Sequence, residues 1–544
     1  MTNGKPRPPA QPVDISRLVA AYYEAPPRES LRVAFGTSGH RGSALSGSFN
    51  EVHILAIAQA ICLYRASAHI DGPLFLGIDT HALSGPAAQS AIEVFAANGL
   101  TIMVDSRDGF TPTPALSLAI LAYNRGRQSG LADGVIVTPS HNPPEDGGFK
   151  YNPPHGGPAE PDVTRAIERL ANGLLENGLR GVRRLPNEQA RRSSGIRRYD
   201  YLSSYVDSLA QVIEMDAIRT AGIRIGIDPL GGASLHYWSA ILDRYALDGQ
   251  IVRDTIDPSF AFMPPDRDGR IRMDCSSPFA MAELVGLKDR FDIGVGNDPD
   301  ADRHGIVTAS SGLLDPNHYL AAAAFYLFGN RPGWPSRSGL GKTMVTSALL
   351  DRLAVQLQRP LIETPVGFRW FVAGLLDGSL GFAGEESAGA SLLRKDGTVW
   401  TTDKDGIALG LLAAEMAARS GRLPDKVYDD LASALGTPCY RRTDSPATPA
   451  EMERLKGLSP GDFKAGTVAG EVVVAVENSA PGGAPLGGIR VRTANCWFAV
   501  RPSGTEDIYK LYAESFLGPD HLEEIEREAR VMVRALLSAD RPGA

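Results

Sequence analysis

Short apolar runs alternate along the chain with small-residue turns and longer stretches of helical periodicity. The clearest apolar runs lie at residues 74–79, 134–137, 223–228 and 291–296. A helix-like stretch through Phe95 follows the first of them, and the third leads through Pro229–Ala233 into another such stretch. Short β-branched runs that stop at glycine, proline or aspartate are typical of buried strands. Their alternation with helices predicts α/β domains whose sheets are covered on both faces.

The length and the changes of composition predict several domains. A chain of 544 residues exceeds what one hydrophobic core supports, so about three to five domains are expected. An arginine-rich stretch at 183–198, a turn-like stretch at 329–335 and a linker-like stretch at 444–450 indicate boundaries. The residues after this last stretch have valine-rich runs around 472–476 and a charged helical pattern from about 519 to 538, which favours a small α+β domain.

Charge and cysteine usage exclude several classes of protein. The net charge is −8 and the isoelectric point is near 5.8, which disfavours non-specific binding to nucleic acid or to an anionic membrane. No apolar run reaches membrane-spanning length, and residues 1–13 are polar and proline-rich, so secretion is not indicated. Four widely spaced cysteines lack metal-ligand spacing, which predicts reduced core residues in a cytoplasmic protein.

The first motif with candidate chemistry follows the apolar run at 134–137. Residues 138–144, Thr-Pro-Ser-His-Asn-Pro-Pro, place a hydroxyl, an imidazole and an amide side by side. The prolines fix φ in this loop, so little entropy is lost when a ligand binds. Taken alone, the segment is better explained by an ordinary polar turn, and only three motifs further along the chain favour a site.

The second motif brings three carboxylates together. Asp298, Asp300 and Asp302 alternate along the chain, so their side chains point the same way in an extended loop. Two such charges about 4 Å apart repel by about 4 kcal/mol at an effective dielectric near 20. A hard divalent cation removes this cost, and oxygen ligands favour Mg²⁺, Mn²⁺ or Ca²⁺. An EF-hand is excluded because Arg303 and Ala309 stand where glycine and glutamate are needed, and an acidic surface turn is the remaining alternative.

The third and fourth motifs supply groups for a sugar and for a phosphate. In residues 384–389, Glu385 and Ser387 offer a carboxylate and a hydroxyl to neighbouring sugar hydroxyls, although a helix N-cap explains the pattern about as well. In residues 501–506, Arg501, two hydroxyls and Gly504 make an anion cradle suited to a phosphate monoester. A tight turn that caps a helix is the alternative there.

Three common nucleotide and hydrolase motifs are absent from the sequence. Residues 339–343 end like a nucleotide P-loop, but Ser336 stands where the first glycine belongs. No G-x-G-x-x-G follows a strand, and G-x-S-x-G does not occur.

Taken in order along the chain, these motifs resemble the α-D-phosphohexomutase superfamily over essentially the full length. A further matching element is residues 35–42, Phe-Gly-Thr-Ser-Gly-His-Arg-Gly. The sugar loop is most similar to that of the bacterial phosphoglucomutase group. Phosphoglucosamine and phosphomannomutase relatives usually have Gly-His after its serine, whereas Ala388-Gly389-Ala390 stand here.

The resemblance implies an α/β protein with four domains around a central cleft, three of them α/β with mixed sheets and the last a smaller α+β domain. We expect a phosphoserine domain at 1–205, a metal-binding domain at 206–325, a sugar-binding domain at 326–443 and a phosphate-binding domain at 444–544. The implied reaction interconverts α-D-glucose 1-phosphate and glucose 6-phosphate. It uses one Mg²⁺ per chain, with glucose 1,6-bisphosphate as intermediate and activator. Sugar phosphates are the expected partners, with no nucleic acid or membrane, for a cytoplasmic monomer or homodimer.

The resemblance also implies roles for individual residues. Ser140 carries the phosphoryl group and, with Asp298, Asp300 and Asp302, binds the metal. His141, Lys150 and Arg41 match family positions near the transferring phosphate. Arg303 is expected beside the metal, and further substrate-binding residues are Thr37, Ser38 and His40. Glu385 and Ser387 grip the sugar, while Arg501, Ser503, Gly504 and Thr505 hold the non-reacting phosphate. Lys395 aligns with a proposed acid/base lysine of eukaryotic relatives, Lys404 is the alternative, and a solvated lysine explains either one.

Three alternatives remain open at this point. The sugar specificity of a phosphomannomutase, or of a dual enzyme, is not readable from these residues. A metal-dependent sugar phosphatase would use the same cleft, since water reaching the phosphoserine would hydrolyse it. A sugar-phosphate-binding protein without catalysis is disfavoured because Ser140 and the three aspartates are all present.

The family's Thr-Gly turn ahead of its third-domain helix is replaced here by Pro365-Val366-Gly367, so no hydroxyl contact is expected from that turn.

Overall fold

The predicted strands assemble into four sheets that follow one another along the chain. The computed structural model describes residues 12–26, 31–36, 39–504 and 507–538, so Thr37, Ser38 and Thr505 lie outside the described residues. Three sheets mix parallel and antiparallel pairs and are flanked by helices, and the fourth is antiparallel. The expected arrangement of three α/β domains and one α+β domain is therefore confirmed.

The first sheet has six strands in the order β1-β5-β4-β2-β3-β6, and β1 and β5 run antiparallel to their neighbours. Its strands are β1 (His40–Ser43), β2 (Leu74–Ile78), β3 (Ile102–Asp105), β4 (Asp133–Val137), β5 (Asp146–Asn152) and β6 (Ile196–Tyr199). Its helices are α1 (Ile15–Tyr23), α2 (Glu51–Ser67), α3 (Ser84–Ala97), α4 (Thr113–Asn124), α5 (Pro161–Glu176), α6 (Asn187–Arg191) and α7 (Tyr201–Ser208).

The second and third sheets repeat this arrangement on a smaller scale, in the orders β11-β10-β9-β7-β8 and β13-β12-β14-β15. The second contains α8 (Met215–Ala221), β7 (Ile225–Asp228), α9 (Leu235–Tyr245), β8 (Gly249–Ile251), α10 (Ala282–Gly286), β9 (Ile293–Asn297), β10 (His304–Thr308) and β11 (Gly312–Leu313). The third contains α11 (Pro316–Asn330), β12 (Gly339–Thr343), α12 (Leu349–Leu357), β13 (Leu361–Thr364), α13 (Val372–Asp377), β14 (Leu380–Glu385), β15 (Gly389–Leu392), α14 (Gly406–Ser420) and α15 (Pro424–Leu435).

The fourth sheet is antiparallel with the order β16-β22-β21-β20-β19, and a separate hairpin joins β17 to β18. Its elements are β16 (Cys439–Pro446), α16 (Pro449–Lys456), β17 (Thr467–Val468), β18 (Glu471–Val472), β19 (Ala475–Ser479), β20 (Pro485–Arg492), β21 (Cys496–Pro502), β22 (Ile508–Ser515) and α17 (Pro519–Ser538). The valine-rich run around 472–476 is therefore split between two strands. The charged pattern after 519 forms one helix, as expected.

The expected domain boundaries all fall inside regular elements. Position 205/206 lies in α7, 325/326 lies in α11, and 443/444 lies in β16. The linker-like composition around residue 444 did not indicate a linker, because Asp444 and Pro446 belong to a strand at the sheet edge, where charged residues and proline are tolerated. The turn at 329–335 follows α11 instead of preceding the third domain. We infer the later boundaries at residues 314–315 and 436–438, between these elements.

The buried apolar residues show how the domains are joined. One large cluster runs through the first three domains and includes Phe75, Trp238 and Trp400. The first domain has a further core around Phe149, and the fourth has its own core around Phe498. A small cluster that contains Val345 and Trp497 joins the third domain to the fourth. The four cysteines are free and three are buried, as expected. In the described parts of the chain, no helix combines the length and apolar composition needed to cross a lipid bilayer.

Candidate active site

Ser140 lies at the centre of a buried loop that follows β4. Its hydroxyl donates to Asp298 Oδ2 at 2.7 Å, and its side chain is 1% exposed. Its φ of +61° is in the left-handed region, which costs a non-glycine residue free energy. The backbone N–H of Ser140 donates to Thr138 Oγ1 at 2.8 Å, which holds the loop in this conformation. The nucleophile predicted from the sequence therefore meets the predicted metal loop.

The three aspartates occupy the connection between β9 and β10. Their side chains are buried, and one carboxylate oxygen from each lies within 4.8 Å of the others. Burial and the charges of Asp300 and Asp302 raise the pKa of Asp298 well above its ordinary value. Burial alone would also raise the pKa of Asp300, but Lys150 and Thr113 lower it to about 2. Crowding of negative charge in this loop is therefore relieved only in part by the protein.

The donor set fits a hard divalent cation. Within the described part of the chain, Asp300 Oδ1 and Asp302 Oδ1 are buried without a hydrogen-bond partner. Such buried oxygens are costly unless they are paired or bind a metal. With Asp298 and the Ser140 hydroxyl, they provide only oxygen ligands, which Mg²⁺ and similar ions prefer. The loop is thus a candidate metal site.

Cationic side chains from two other domains reach the same carboxylates. Lys150, on β5, donates to Asp300 Oδ2 at 2.7 Å and lies 3.7 Å from Asp302 Oδ2. Lys404, just before α14, lies 3.0 Å from Asp302 Oδ2. Burial would lower the pKa of Lys404, but Asp302 and Glu385 raise it, so the ammonium stays charged. These two lysines line one pocket together with Asp302, Glu385 and Asp403.

The residues predicted near the transferring phosphate separate into two groups. Arg41 NH1 donates to Asn142 Oδ1 at 3.4 Å, and His141 Nδ1 lies 3.4 Å from Ser140 Oγ. Burial, together with Arg303 and Arg41, lowers the pKa of His141 well below its ordinary value. Arg303 lies 3.6 Å from Asp274 Oδ2, beside the aspartate loop. These three side chains therefore adjoin Ser140 or the aspartates.

His40 belongs to the second group, because it packs in the core. Its ring stacks on Phe49 at 5.9 Å and on His53 at 5.4 Å. Burial, with His53, lowers its pKa to about 4. The structure therefore places the His40 side chain in the packing beneath β1, away from the contacts of Ser140. Thr37 and Ser38, from the same motif, lie outside the described residues.

The predicted sugar loop is the tight turn between β14 and β15, so the helix N-cap interpretation was wrong. Glu385 is buried, and its carboxylate accepts a hydrogen bond from the backbone N–H of Gly367 at 3.0 Å. The turn at 365–367, which replaces the family's Thr-Gly turn, therefore holds the Glu385 side chain in place. Burial raises the pKa of Glu385. Ser387 lies half-buried in the turn, and Ala388 has a φ of +67°.

The structure distinguishes the two candidate lysines for acid/base chemistry. Lys395 lies in a turn, where its backbone N–H donates to the Gln211 carbonyl oxygen. Its Nζ lies 3.3 Å from Glu214 Oε2. Its side chain is 33% exposed, against 13% for Lys404. Only Lys404 of these two lines the pocket with Asp302 and Glu385. The structure therefore does not bring Lys395 into the cluster where the sequence analysis expected it.

The predicted phosphate cradle is the turn between β21 and β22, not a helix cap. Arg501 is half-buried, Ser503 is buried, and Gly504 is exposed. Arg501 Nε has no hydrogen-bond partner among the described residues. Arg442, on the edge strand β16, pairs with Asp444 through both carboxylate oxygens.

Two further contacts at the site were missed. Thr113 donates from its hydroxyl to Asp300 Oδ2 at 2.7 Å and from its N–H to Asp300 O at 2.8 Å. Its signal was the Thr-Pro-Thr-Pro run at 111–114, ahead of α4. Asp403 accepts from Asn152 Nδ2 at 3.0 Å, and burial, with Asp302, raises its pKa to about 6.

Comparisons with known proteins cover all four domains. Models of the phosphoglucomutase/phosphomannomutase family match as α/β/α domains I, II and III at residues 32–177, 203–312 and 315–435, and as the C-terminal domain at 440–531. A phosphoglucomutase of Komagataeibacter xylinus is 56% identical over 98% of this chain and 97% of that protein.

Two solved structures share the fold. The open form of the phosphoprotein pp63/parafusin, a phosphoglucomutase from Paramecium, has a TM-score of 0.71 at 19% identity and covers 99% of both chains. An N-acetylphosphoglucosamine mutase from Aspergillus fumigatus, in complex with GlcNAc-6P and magnesium, has a TM-score of 0.55 at 15% identity. It covers 97% of this chain and 100% of its own. With four family domains in order and this extent of identity, the chain belongs to the phosphoglucomutase/phosphomannomutase family of phosphohexomutases.

Proposed function

We propose that the protein is a phosphoglucomutase that interconverts α-D-glucose 1-phosphate and glucose 6-phosphate. The observation that carries this proposal is the placement of the Ser140 hydroxyl 2.7 Å from Asp298 within a buried carboxylate cluster. A buried serine in a metal-binding loop suits a phosphoryl carrier. The choice of glucose rests on the 56% identity to the Komagataeibacter phosphoglucomutase and on the Ala388-Gly389-Ala390 turn.

We propose Mg²⁺ as the cation held by Asp298, Asp300, Asp302 and a phosphorylated Ser140. The oxygen-only donor set and the two unpartnered buried oxygens support it, and the related Aspergillus mutase was solved with magnesium. When bound, the ion would neutralise charge on the transferring phosphoryl group. Arg41 and Lys150 supply fixed positive charge from the side of the first domain.

The sugar is held between the third and fourth domains in this proposal. Glu385 accepts hydrogen bonds from sugar hydroxyls, and Ser387 lies beside it in the turn. Arg501, Ser503 and Thr505 hold the phosphate that is not reacting. Because the sugar phosphate reacts at either end, the same groups serve both orientations of glucose 1,6-bisphosphate. The catalytic work is then mainly positioning and charge stabilisation, as in phosphoryl transfer generally.

Each half-reaction makes one P–O bond and breaks another. As the sugar oxygen attacks the phosphoryl group, the bond from phosphorus to Ser140 Oγ breaks, and the hydroxyl proton of the sugar must end on Oγ. We infer that Lys404 is the lysine on this proton path, because its charged Nζ lies 3.0 Å from Asp302 in the sugar pocket. It gives a proton to Ser140 and regains one from the sugar. Lys395, paired with Glu214, takes no part.

A Mg²⁺-dependent coupled assay on glucose 1-phosphate, primed with glucose 1,6-bisphosphate, tests the function. We expect the wild type to form glucose 6-phosphate and Ser140→Ala to lose on the order of 10³-fold or more in kcat. Intact mass should show one phosphoryl group on the wild type and none on the variant. Release of free phosphate would overturn the proposal in favour of a phosphatase. Turnover of mannose 1-phosphate alone would keep the mechanism and overturn the choice of sugar.

A further inference from the structure

An ion pair lies directly beneath the Ser140 loop and takes no part in the contacts described so far. Asp79 and His81 follow β2, next to β4 in the first sheet, and both side chains are fully buried. His81 Nδ1 lies 2.8 Å from Asp79 Oδ2. The sequence analysis treated this segment only as the turn before a helix.

The partners of the two ring nitrogens fix the protonation of His81. Nδ1 faces a carboxylate oxygen of Asp79, and Nε2 faces the Asn142 carbonyl oxygen at 3.1 Å. A carboxylate and a carbonyl only accept hydrogen bonds, so both nitrogens must donate and the ring is an imidazolium. Burial would lower the pKa of His81, but Asp79 and these hydrogen bonds raise it above its ordinary value, in agreement with the geometry.

The Asp79 carboxylate gathers donors from both sides of the loop. It accepts hydrogen bonds from Thr138 Oγ1 at 2.6 Å, from Ser84 Oγ at 2.5 Å and from the backbone N–H of His81 at 3.0 Å. Thr138 Oγ1 in turn accepts from the Ser140 N–H. The pair therefore holds Thr138 through Asp79 and Asn142 through His81, on either side of Ser140. Between these two anchors Ser140 keeps its left-handed backbone.

We propose that Asp79 and His81 are positioning residues that fix the Ser140 hydroxyl for phosphoryl transfer. This inference rests on the proposed phosphoglucomutase activity. Neither side chain is placed against the sugar phosphate; each acts through Thr138 or Asn142. A buried ion pair suits this task because both its partners are satisfied and neither can swing into solvent without leaving a buried charge unpaired.

The other groups packed around His81 leave its charge in place. Asp146, on β5, adds a further negative charge on that side and accepts from Asn142 Nδ2 at 3.1 Å. The Phe260 ring lies 4.9 Å from the His81 ring and covers it from the second domain. The positioning pair is thus closed off from solvent by the domain that carries the aspartate loop.

The test compares three substitutions around the same carboxylate. His81→Gln is neutral and has one donor nitrogen where the imidazolium has two, so it cannot hold both Asp79 and Asn142 as His81 does. We expect its kcat to fall about 10²-fold with KM changed less than about threefold, as expected for a nucleophile misplaced by about 1 Å. Ser84→Ala removes a neutral donor from Asp79 without touching the loop, and we expect kcat within about threefold of the wild type. His81→Arg keeps a permanent charge with donors for both acceptors, and it should recover most of the kcat that His81→Gln loses.

Two readouts separate positioning from a general loss of structure. Single-turnover phosphorylation of Ser140 by glucose 1,6-bisphosphate should slow as much as kcat in His81→Gln. That variant should unfold at a lower temperature than Ser84→Ala, because Asp79 loses its buried counter-charge, but its circular dichroism at the assay temperature should match that of the wild type. A histidine-labelled ¹H–¹⁵N spectrum of the wild type, assigned with His81→Gln, should show both His81 nitrogens protonated near neutral pH.

Clear outcomes would overturn the inference. They are a His81→Gln enzyme with unchanged kcat, a Ser84→Ala enzyme as impaired as His81→Gln, or a neutral His81 in the spectrum. The spectrum needs no turnover, so it judges the ion pair by itself. A wild type without mutase activity would instead refute the proposed function.

Discussion

Two parts of the site differ in how far burial and contacts between domains fix their side chains. The transfer centre, defined as Ser140, Asp298, Asp300, Asp302 and Lys150, is at most 5% exposed at every residue and draws on two sheets. The phosphate turn, defined as residues 501–504, comes from one hairpin and is partly exposed. The groups proposed to move the phosphoryl group are therefore held in place by burial. The groups proposed to hold the other phosphate lie on a less buried turn.

The cores of the domains follow the same division. One apolar cluster extends across the first three domains, in addition to the first domain's own core. The fourth domain has a separate core and meets the third through a small apolar cluster and buried ion pairs. Changes in the fourth domain should therefore leave the transfer centre intact. Changes in the transfer centre should abolish chemistry without loosening the fourth domain.

The largest effect is expected from Asp300→Asn. The substitution preserves shape but removes one negative ligand oxygen, so we expect kcat to fall on the order of 10³-fold. Calorimetric titration with Mg²⁺ should show binding to the wild type and much weaker binding to the variant. The exposed Asp289→Asn is the matched control and should behave as the wild type. Normal Mg²⁺ binding by Asp300→Asn would refute the assignment of the metal site.

The next effect separates the two lysines. Lys404→Met removes the charge that Asp302 and Glu385 hold in the pocket, so we expect kcat to fall about 10²- to 10³-fold, the range typical of a lost proton-transfer group. Lys395→Met is the matched control, and its loss of the pair with the half-exposed Glu214 should change kcat by less than about threefold. The coupled assay measures both. A larger loss in Lys395→Met would reverse the assignment.

The same pair of lysines shows where sequence reasoning ends. Local signals sufficed to place Ser140 and the three aspartates in loops, because each motif follows a strand whose pattern is visible in the chain. The lysines lie nine positions apart, and only the turn between residues 393 and 399 decides that Lys395 faces Glu214. Tertiary contacts likewise decide that Asp79 and His81 support the Ser140 loop. No local pattern shows either fact.

The phosphate turn should respond in affinity more than in chemistry. Arg501→Ala removes a charge-assisted contact to phosphate, so we expect kcat/KM to fall about 10- to 100-fold, mostly through KM. Phosphorylated Ser140 should form at a nearly normal maximal rate when glucose 1,6-bisphosphate is saturating. Arg441→Ala serves as control, because Arg441 lies on the same sheet but pairs with Glu526. A kcat loss as large as that of Asp300→Asn would remove the distinction between the two regions.

The smallest effect on turnover is expected at the joint between the third and fourth domains. Glu363 accepts from Arg490 NH1 at 2.6 Å and NH2 at 2.7 Å. Burial would raise the pKa of Glu363, but Arg490 and Lys342 lower it from 4.5 to about 2. A carboxyl group whose pKa is lowered by folding stabilises the folded state at any pH above the pKa of the unfolded chain. For Glu363 this contribution is at most about 3 kcal/mol, and it is lost as the pH falls from about 4.5 to about 2.

Glu363→Gln should therefore unfold at lower denaturant concentration than the wild type at pH 7, with the difference shrinking as the pH falls through that window. At pH 7 its kcat should stay within about threefold of the wild type, because the joint carries no group of the transfer centre. Denaturation followed by fluorescence at several pH values measures the first effect. If Glu363→Gln lost turnover at pH 7 while remaining folded, the fourth domain would be setting the geometry of transfer as well as gripping phosphate. The separation between a buried transfer centre and a partly exposed phosphate turn would then fail.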